Sequence, residues 1–359
     1  MTTEGMREVS TESKSVEVLD DEVQQTWKSV AEAGAGELAS SYVLTTAIVG
    51  LSNSGVAQKL SGEWTPLGQL APKPELADRI GKVLRFLELR GVVESQGDAW
   101  RTTRRGAQLF DEVAESLLGY YVDAYGPVLH DMGGLLDGSK VYETDVSRDT
   151  EALGLRCEVL FRSFGGNLVR DLVRSRGARG VLDLGCGTGG LLLDLVRENP
   201  ELHGYGLDIA EDAIAYAGRR AADAGLADRL SFAVADAFRP QDWPAEVVEG
   251  ADFLVAVGAL HEHFRNGEAA VVDMLSRYAD LLRAGENRTL LLCEPELFVD
   301  TEDANFYLIH VLTEQGFPQP RESWLKVIEA AGLTCNRVFS APNTAFRFAY
   351  YEIVADPAS

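Results

Sequence analysis

Cationic side chains are scarce in this 359-residue chain: 33 lysines and arginines stand against 56 aspartates and glutamates, for a formal net charge of −23. A field of that sign repels phosphate backbones, which disfavours broad nucleic-acid binding and a polyanionic substrate. Cysteine is scarce as well. Cys157, Cys186, Cys293 and Cys335 lie far apart with no C-x-x-C pair, so neither a zinc ribbon nor a dithiol redox motif is indicated, and reduced thiols are expected. No apolar run approaches the roughly 20 residues that cross a bilayer. Residues 1 to 16 are polar and mixed in charge, so we expect no secretory signal, no membrane anchor and a cytoplasmic location. Internal repeats and low-complexity tracts are missing too. What remains is an ordinary globular composition, 46% apolar and 25% charged, on a chain long enough for two domains.

Four segments are expected. Residues 1 to 20, rich in Thr, Glu and Ser, read as a disordered tail. Residues 21 to 118 read as helices followed by a short wing: Leu76, Ile80, Val83, Leu84 and Leu87 recur at helical spacing, and residues 91 to 103 suggest a two-stranded hairpin. That is a winged-helix layout. Its basic residues Arg101, Arg104 and Arg105 permit a DNA-binding reading, which the acidity of the whole chain disfavours. Residues 119 to 165 read as a helical connector or lid, with residues 141 to 156 polar and without clear periodicity. Residues 166 to 359 alternate strand and helix. Strands are expected over residues 180–184, 203–208, 230–235, 252–257 and 289–294, with a closing hairpin at one edge from residues 334–340 and 345–354, joined through Pro342 and Asn343. Near-continuous apolar strands separated by helices predict an α/β, Rossmann-like, seven-stranded and mostly parallel sheet covered on both faces.

The most informative stretch is Val181-Leu182-Asp183-Leu184-Gly185-Cys186-Gly187-Thr188-Gly189-Gly190, a buried strand running into a glycine turn and a helix. Glycine permits the tight turn and lets bare backbone approach a ligand. Gly185, Gly187 and Gly190 also satisfy G-x-G-x-x-G, and Asp208 follows at the distance a nicotinamide site would show. The glycines alone do not choose between cofactors. The wider context does: Asp183 before the first glycine, the alternate spacing Gly185, Gly187, Gly189, then Gly206-Leu207-Asp208, Val234-Ala235-Asp236-Ala237-Phe238, and Gly258 before Ala259-Leu260-His261-Glu262.

These motifs, in this order, resemble those of class I S-adenosylmethionine (SAM) methyltransferases. The resemblance implies that Asp208 takes the ribose hydroxyls, that Asp236 accepts from the adenine amine with Ala237 and Phe238 beside the ring, and that the backbone at Gly185 borders the methionine. Asp183, Gly187, Gly189, Ile209 and Gly258 complete the implied cofactor set. It also implies a small-molecule substrate and a homodimer formed through the N-terminal domain.

The segment after the fourth strand should face the methyl group, because ligands bind at the carboxyl ends of parallel strands. Here it carries His261-Glu262-His263. His261 resembles the general base of SAM-dependent O-methyltransferases, and an imidazole suits deprotonation of a hydroxyl near neutral pH. A second histidine opens another reading. Phe306, Ile309, His310 and Thr313 fall on one helix face, so His310 points inward, either as a core histidine or, with His261, as a ligand pair for a transition metal such as iron or zinc. The run from Leu260-His261-Glu262 through Ala269, Val271 and Val272, with Tyr307-Leu308-Ile309-His310, Thr313-Glu314-Gln315 and Trp324, resembles the 2-ketoarginine methyltransferase family, which methylates the carbon beside the ketone of a 2-oxo acid. Related phenylpyruvate C-methyltransferases hold the oxo acid on a metal bound by two histidines. Under this resemblance Glu262 or His263 takes the proton, Arg148 or Arg156 neutralises the substrate carboxylate, and Tyr142 belongs to the substrate side.

Overall fold

In a computed structural model of the chain, the residues described are 21–285, 287–297, 304–340 and 347–355. The helices Asp21–Glu32 and Ala35–Asn53 precede a small antiparallel sheet, and the helix Ala77–Leu89 lies between its first two strands in the chain. Its strands are β1 (Thr65–Pro66), β2 (Val93–Gln96) and β3 (Ala99–Thr102), in the order β1-β3-β2. The hairpin is the expected wing. The sequence reading missed β1, which pairs Thr65 with Trp100 and Pro66 with Ala99; two residues show no alternation to read. Leu70, Leu84, Leu87, Val92 and Trp100 close the core of this region.

A connector of short helices leads to the helix Thr150–Phe164. The expectation of an aperiodic stretch over residues 141 to 156 is corrected from Thr150 onward. Asp149 caps that helix by accepting from the Ala152 amide at 2.9 Å, the local signal that marks a helix start. The helix packs beneath the α/β region on one side and against earlier helices on the other, so its polar and apolar residues do not sort into one clean stripe.

The large sheet comprises β4 (Gly180–Leu184), β5 (His203–Asp208), β6 (Leu230–Val234), β7 (Phe253–Val257), β8 (Thr289–Pro295), β9 (Leu333–Ser340) and β10 (Phe348–Ala355). Their order is β6-β5-β4-β7-β8-β10-β9. The five strands from β6 to β8 run parallel, and β10 pairs antiparallel with both β8 and β9. The closing pair forms the expected hairpin edge, with the last strand lying inside β9; Pro342 and Asn343 fall outside the described residues. β4 is buried along its whole length, as a central strand covered on both faces must be. One core layer gathers Met274, Tyr278, Trp324 and Ile328 on one face, and the other gathers Val169, Leu192, Leu195 and Phe253 on the opposite face. Strand order reverses between β4 and β7, which opens a crevice at their carboxyl ends. The glycine turn leaves β4 there, and the segment bearing His261 leaves β7 beside it.

Candidate active site

A cavity of about 620 Å³ fills this crevice, running from the glycine turn to the histidines. Its size falls within the roughly 300–1,000 Å³ of small-molecule sites. Asp183, Gly185, Gly187, Asp208, Ile209, Asp236, Ala237, Phe238 and Gly258 all line it.

The wall at the glycine turn is held by backbone amides. Gly185 and Cys186 both donate to the Leu207 carbonyl, at 2.8 and 3.0 Å, which ties the turn to β5. Gly185 has φ 74°, a left-handed conformation that disfavours any side chain, and a Cβ there would meet Ala259 at 2.9 Å. Asp208 accepts from the Gly187 amide and from the Ala210 amide, each at 2.9 Å. Asp236 accepts from the Phe238 amide at 2.8 Å, and Tyr278 donates to the Ala237 carbonyl at 2.8 Å. Asp183 is buried, and desolvation, reinforced by the Asp208 charge, pushes its carboxyl up to about 7. Gly189 does not line the cavity. Its φ of 77° and the crowding of a Cβ by Phe232 and Ala217, at 2.9 and 3.0 Å, make it a packing glycine of the turn.

At the far end the two histidines meet. His261 and His310 are both buried, at 4% and 3% exposure, and their Nε2 atoms lie 3.4 Å apart. His261 Nδ1 stands 2.7 Å from a carboxylate oxygen of Glu294, and His310 Nδ1 stands 2.8 Å from the Phe306 carbonyl. With both rings neutral and protonated on Nδ1, toward the Glu294 carboxylate and the Phe306 carbonyl, the two Nε2 lone pairs face each other. Burial, then the neighbouring His261, lowers the His310 pKa to about 4. The ordinary unfolded value is about 6.5, so His310 favours folding above that pH, and the contribution is lost as pH falls from about 6.5 to about 4. In chelator-treated protein the unfolding free energy from urea titration should therefore drop across that window, by up to an order of 3 kcal/mol from this group. His310→Gln should flatten that part of the profile; an identical profile in the variant would show that His310 titrates normally.

The sequence reading did not place all its candidates correctly. Arg148 and Tyr142 line the cavity. Arg148 Nη1 donates to the Tyr125 hydroxyl at 3.3 Å and lies 3.6 Å from Glu262, and burial raises the Tyr142 phenol to about 12. Arg156 is not part of the cavity wall. It bonds Asn53, Glu115 and Asp123 at 2.9, 3.2 and 2.7 Å, fastening the connector helix to the helices before it. His263 is also turned away. It packs on Phe238 with ring centres 4.4 Å apart, because Leu260–Asn266 is a 3-10 helix, in which residues two apart project to different sides. Three contributors went unread: Tyr125, Glu294 and Glu158. Glu294 had a signal, a carboxylate inside an otherwise apolar strand, which demands a buried partner. Glu158 holds Arg220 at 2.7 Å and Thr188 at 3.2 Å, bracing the connector against the glycine turn; contacts between segments this far apart in sequence leave no local pattern.

Comparison with known proteins settles the general chemistry. A family profile described as "Methyltransferase domain" matches residues 176–307. The 2-ketoarginine methyltransferase of Streptomyces arginensis is 27% identical over 306 residues, covering 81% of this chain and 85% of that protein. This chain is a SAM-dependent methyltransferase. A shorter likeness, 33% identical over 201 residues, covers 48% of the methyltransferase and 53% of aclacinomycin 10-hydroxylase RdmB from Streptomyces purpurascens. Among solved structures, the calicheamicin-biosynthesis methyltransferase CalO1, in its S-adenosylhomocysteine (SAH) bound form, superposes with a TM-score of 0.58 at 22% identity, covering 94% of this chain and 100% of that one. That likeness fixes the enzyme's class I fold. Among the described residues no helix is long and apolar enough to cross a membrane.

Proposed function

We propose that the enzyme methylates the carbon beside the ketone of a small 2-oxo acid, in specialised metabolism. The observation carrying this reading is the facing pair of Nε2 atoms 3.4 Å apart, each ring having an acceptor at its Nδ1. Two lone pairs held face to face repel unless a proton or a cation lies between them. Metal–imidazole bonds are about 2.0–2.1 Å, so one cation shared by two rings calls for nitrogens spaced much as these are. The Nδ1 partners, a carboxylate and a backbone carbonyl, are those that orient metal-ligating histidines. Among the described residues no cluster of three or more His, Cys, Asp or Glu could hold a metal, so His261 and His310 would be the only protein ligands there, with positions left for substrate oxygens. Such a cation, when bound, would acidify the C–H beside a chelated ketone.

The chain's own residues supply the rest. Asp208 takes the SAM ribose hydroxyls, Asp236 the adenine amine, and the turn at Gly185 and Gly187 seats the methionine. SAM brings the methyl group on its sulfonium. Arg148 receives the acceptor's carboxylate, and Glu262, now the one acid of the His-Glu-His run lining this part of the cavity, takes the proton. Tyr125 and Tyr142 wall the acceptor side. Holding two reactants in register can remove about 7–11 kcal/mol of barrier.

A second reading keeps His261 as the general base of a metal-free O-methylation. It is favoured by the Glu294 carboxylate 2.7 Å behind Nδ1, which orients the ring and stabilises it once protonated. Incubation with SAM and a panel of 2-oxo acids and phenols, with product regiochemistry read by NMR, separates the two. Methyl on carbon, bound metal by elemental analysis and loss of turnover with chelator are expected; methyl on phenolic oxygen alone, indifferent to chelator, would establish the second.

The N-terminal region serves, in this proposal, as the dimerisation domain. Leu38 and Tyr42 are each 72% exposed and Trp27 is 67% exposed, an apolar face on the first two helices that a second copy would cover. Tyr42→Glu with Leu38→Glu should halve the solution mass seen by light scattering; an unchanged mass removes this face from any interface.

A further inference from the structure

A second cavity, besides the one at the glycine turn, reaches His310. The second, about 560 Å³, opens between the helix Ala304–Thr313 and residues 314–319, with Tyr307, Val311 and Phe317 in its wall. Arg265, His310 and Gln315 line both cavities, whereas Asp183, Asp208 and Asp236 line only the first. His310 therefore also borders a space whose wall holds none of those three carboxylates.

The charges on these walls are unequal. Arg148 lies 3.6 Å from Glu262, Arg162 bonds Glu158 and Asp194 at 2.9 Å each, and Arg170 lies 2.6 Å from Glu198. Arg265 has no carboxylate within 4.0 Å among the described residues. It is exposed, and it sits on the same 3-10 helix as His261. Glu314 shares the second cavity's wall without coming within ion-pair distance of it. In a chain of net charge −23, a guanidinium with no carboxylate partner among the described residues, in the walls of both cavities, is a local attractor for an anion that the rest of the surface repels.

We propose that the second cavity is the entry route of the acceptor, and that Arg265 guides a small organic carboxylate along it to the histidine pair while SAM occupies the other cavity. This rests on the 2-oxo acid reading of the acceptor. Gln315, 5% exposed, stands in both walls, and in this proposal it borders the passage between them.

The test measures kcat/KM for phenylpyruvate and for 4-methyl-2-oxopentanoate at about 20 and about 300 mM salt, since added salt screens a guiding charge. Wild type should lose rate as salt rises. Arg265→Gln should be roughly threefold to tenfold slower at low salt and nearly insensitive to it, Arg265→Lys should recover most of the salt dependence, and SAH affinity should hold in both. Val311→Trp, at a position 40% exposed on the cavity wall, should lower kcat/KM by narrowing the passage, again without loss of SAH affinity. A salt slope that survives in Arg265→Gln, or a Val311→Trp enzyme as fast as wild type, overturns the route while leaving the acceptor class standing. A wild type that ignores both acids and methylates phenols without salt dependence overturns the acceptor reading, and the route with it.

Discussion

Replacing His310 with alanine should cut methyl transfer at saturating SAM by roughly 10²–10⁴-fold, the range found when a positioned catalytic group is lost, with the Kd for SAM within about twofold of wild type. The separation follows from where the side chain comes from. His310 stands on the helix Ala304–Thr313, whereas Asp208, Asp236 and the glycine turn stand at the ends of β4 to β6. Its loss removes one of two converging Nε2 atoms without touching those carboxylates. A buried imidazole also packs, so thermal unfolding of the variant should be measured alongside; His310→Gln, closer in volume, should show the same kinetic loss with less destabilisation. Full turnover in either variant would return His310 to a packing role and remove the support for a metal at this pair.

Asp208→Ala should weaken SAM binding by roughly 10- to 100-fold, corresponding to the 1.5–3 kcal/mol of hydrogen bonds to a charged group. Its carboxylate is already oriented: the Gly187 and Ala210 amides each hold one oxygen at 2.9 Å, leaving remaining lone pairs toward the cavity. Alanine removes both the proposed ribose acceptor and this brace on the turn. Asp208→Asn separates the two effects, because an amide keeps one oxygen for the backbone and loses the charge; its affinity should fall between alanine and wild type. Calorimetry with SAM and SAH reads both variants, and unchanged affinity in Asp208→Ala would move the ribose site away from β5.

Much of the catalytic domain was legible because its signals are local. An apolar strand entering a glycine turn, and acids at the ends of the next two strands, are short patterns with a single geometric meaning, and Asp183, Asp208 and Asp236 line one cavity as they imply. The inward face of the Ala304–Thr313 helix was legible from spacing alone, and so the meeting of His261 with His310 could be anticipated. Side-chain direction on irregular backbone was not. His261 and His263 differ by two residues, and only the 3-10 winding decides that one enters the cavity while the other packs on Phe238. Arg148 and Arg156 are of one type and eight positions apart, yet Asn53, Glu115 and Asp123, remote in sequence, claim the second.

The amino-acid sequence by itself determined the mostly parallel sheet and its glycine turn, because hydrophobic periodicity and glycine's conformational range act over a few residues, and the order of its motifs, through their resemblance to class I methyltransferases, pointed to the methyl donor. Tertiary structure alone decided that Glu294 backs His261, that Asn53, Glu115 and Asp123 claim Arg156, and that Arg265 stands in the walls of two cavities with no carboxylate within 4.0 Å among the described residues. Those are distances between segments that the chain order does not encode, fixed only when the packing of both faces of the sheet brings them within hydrogen-bond reach.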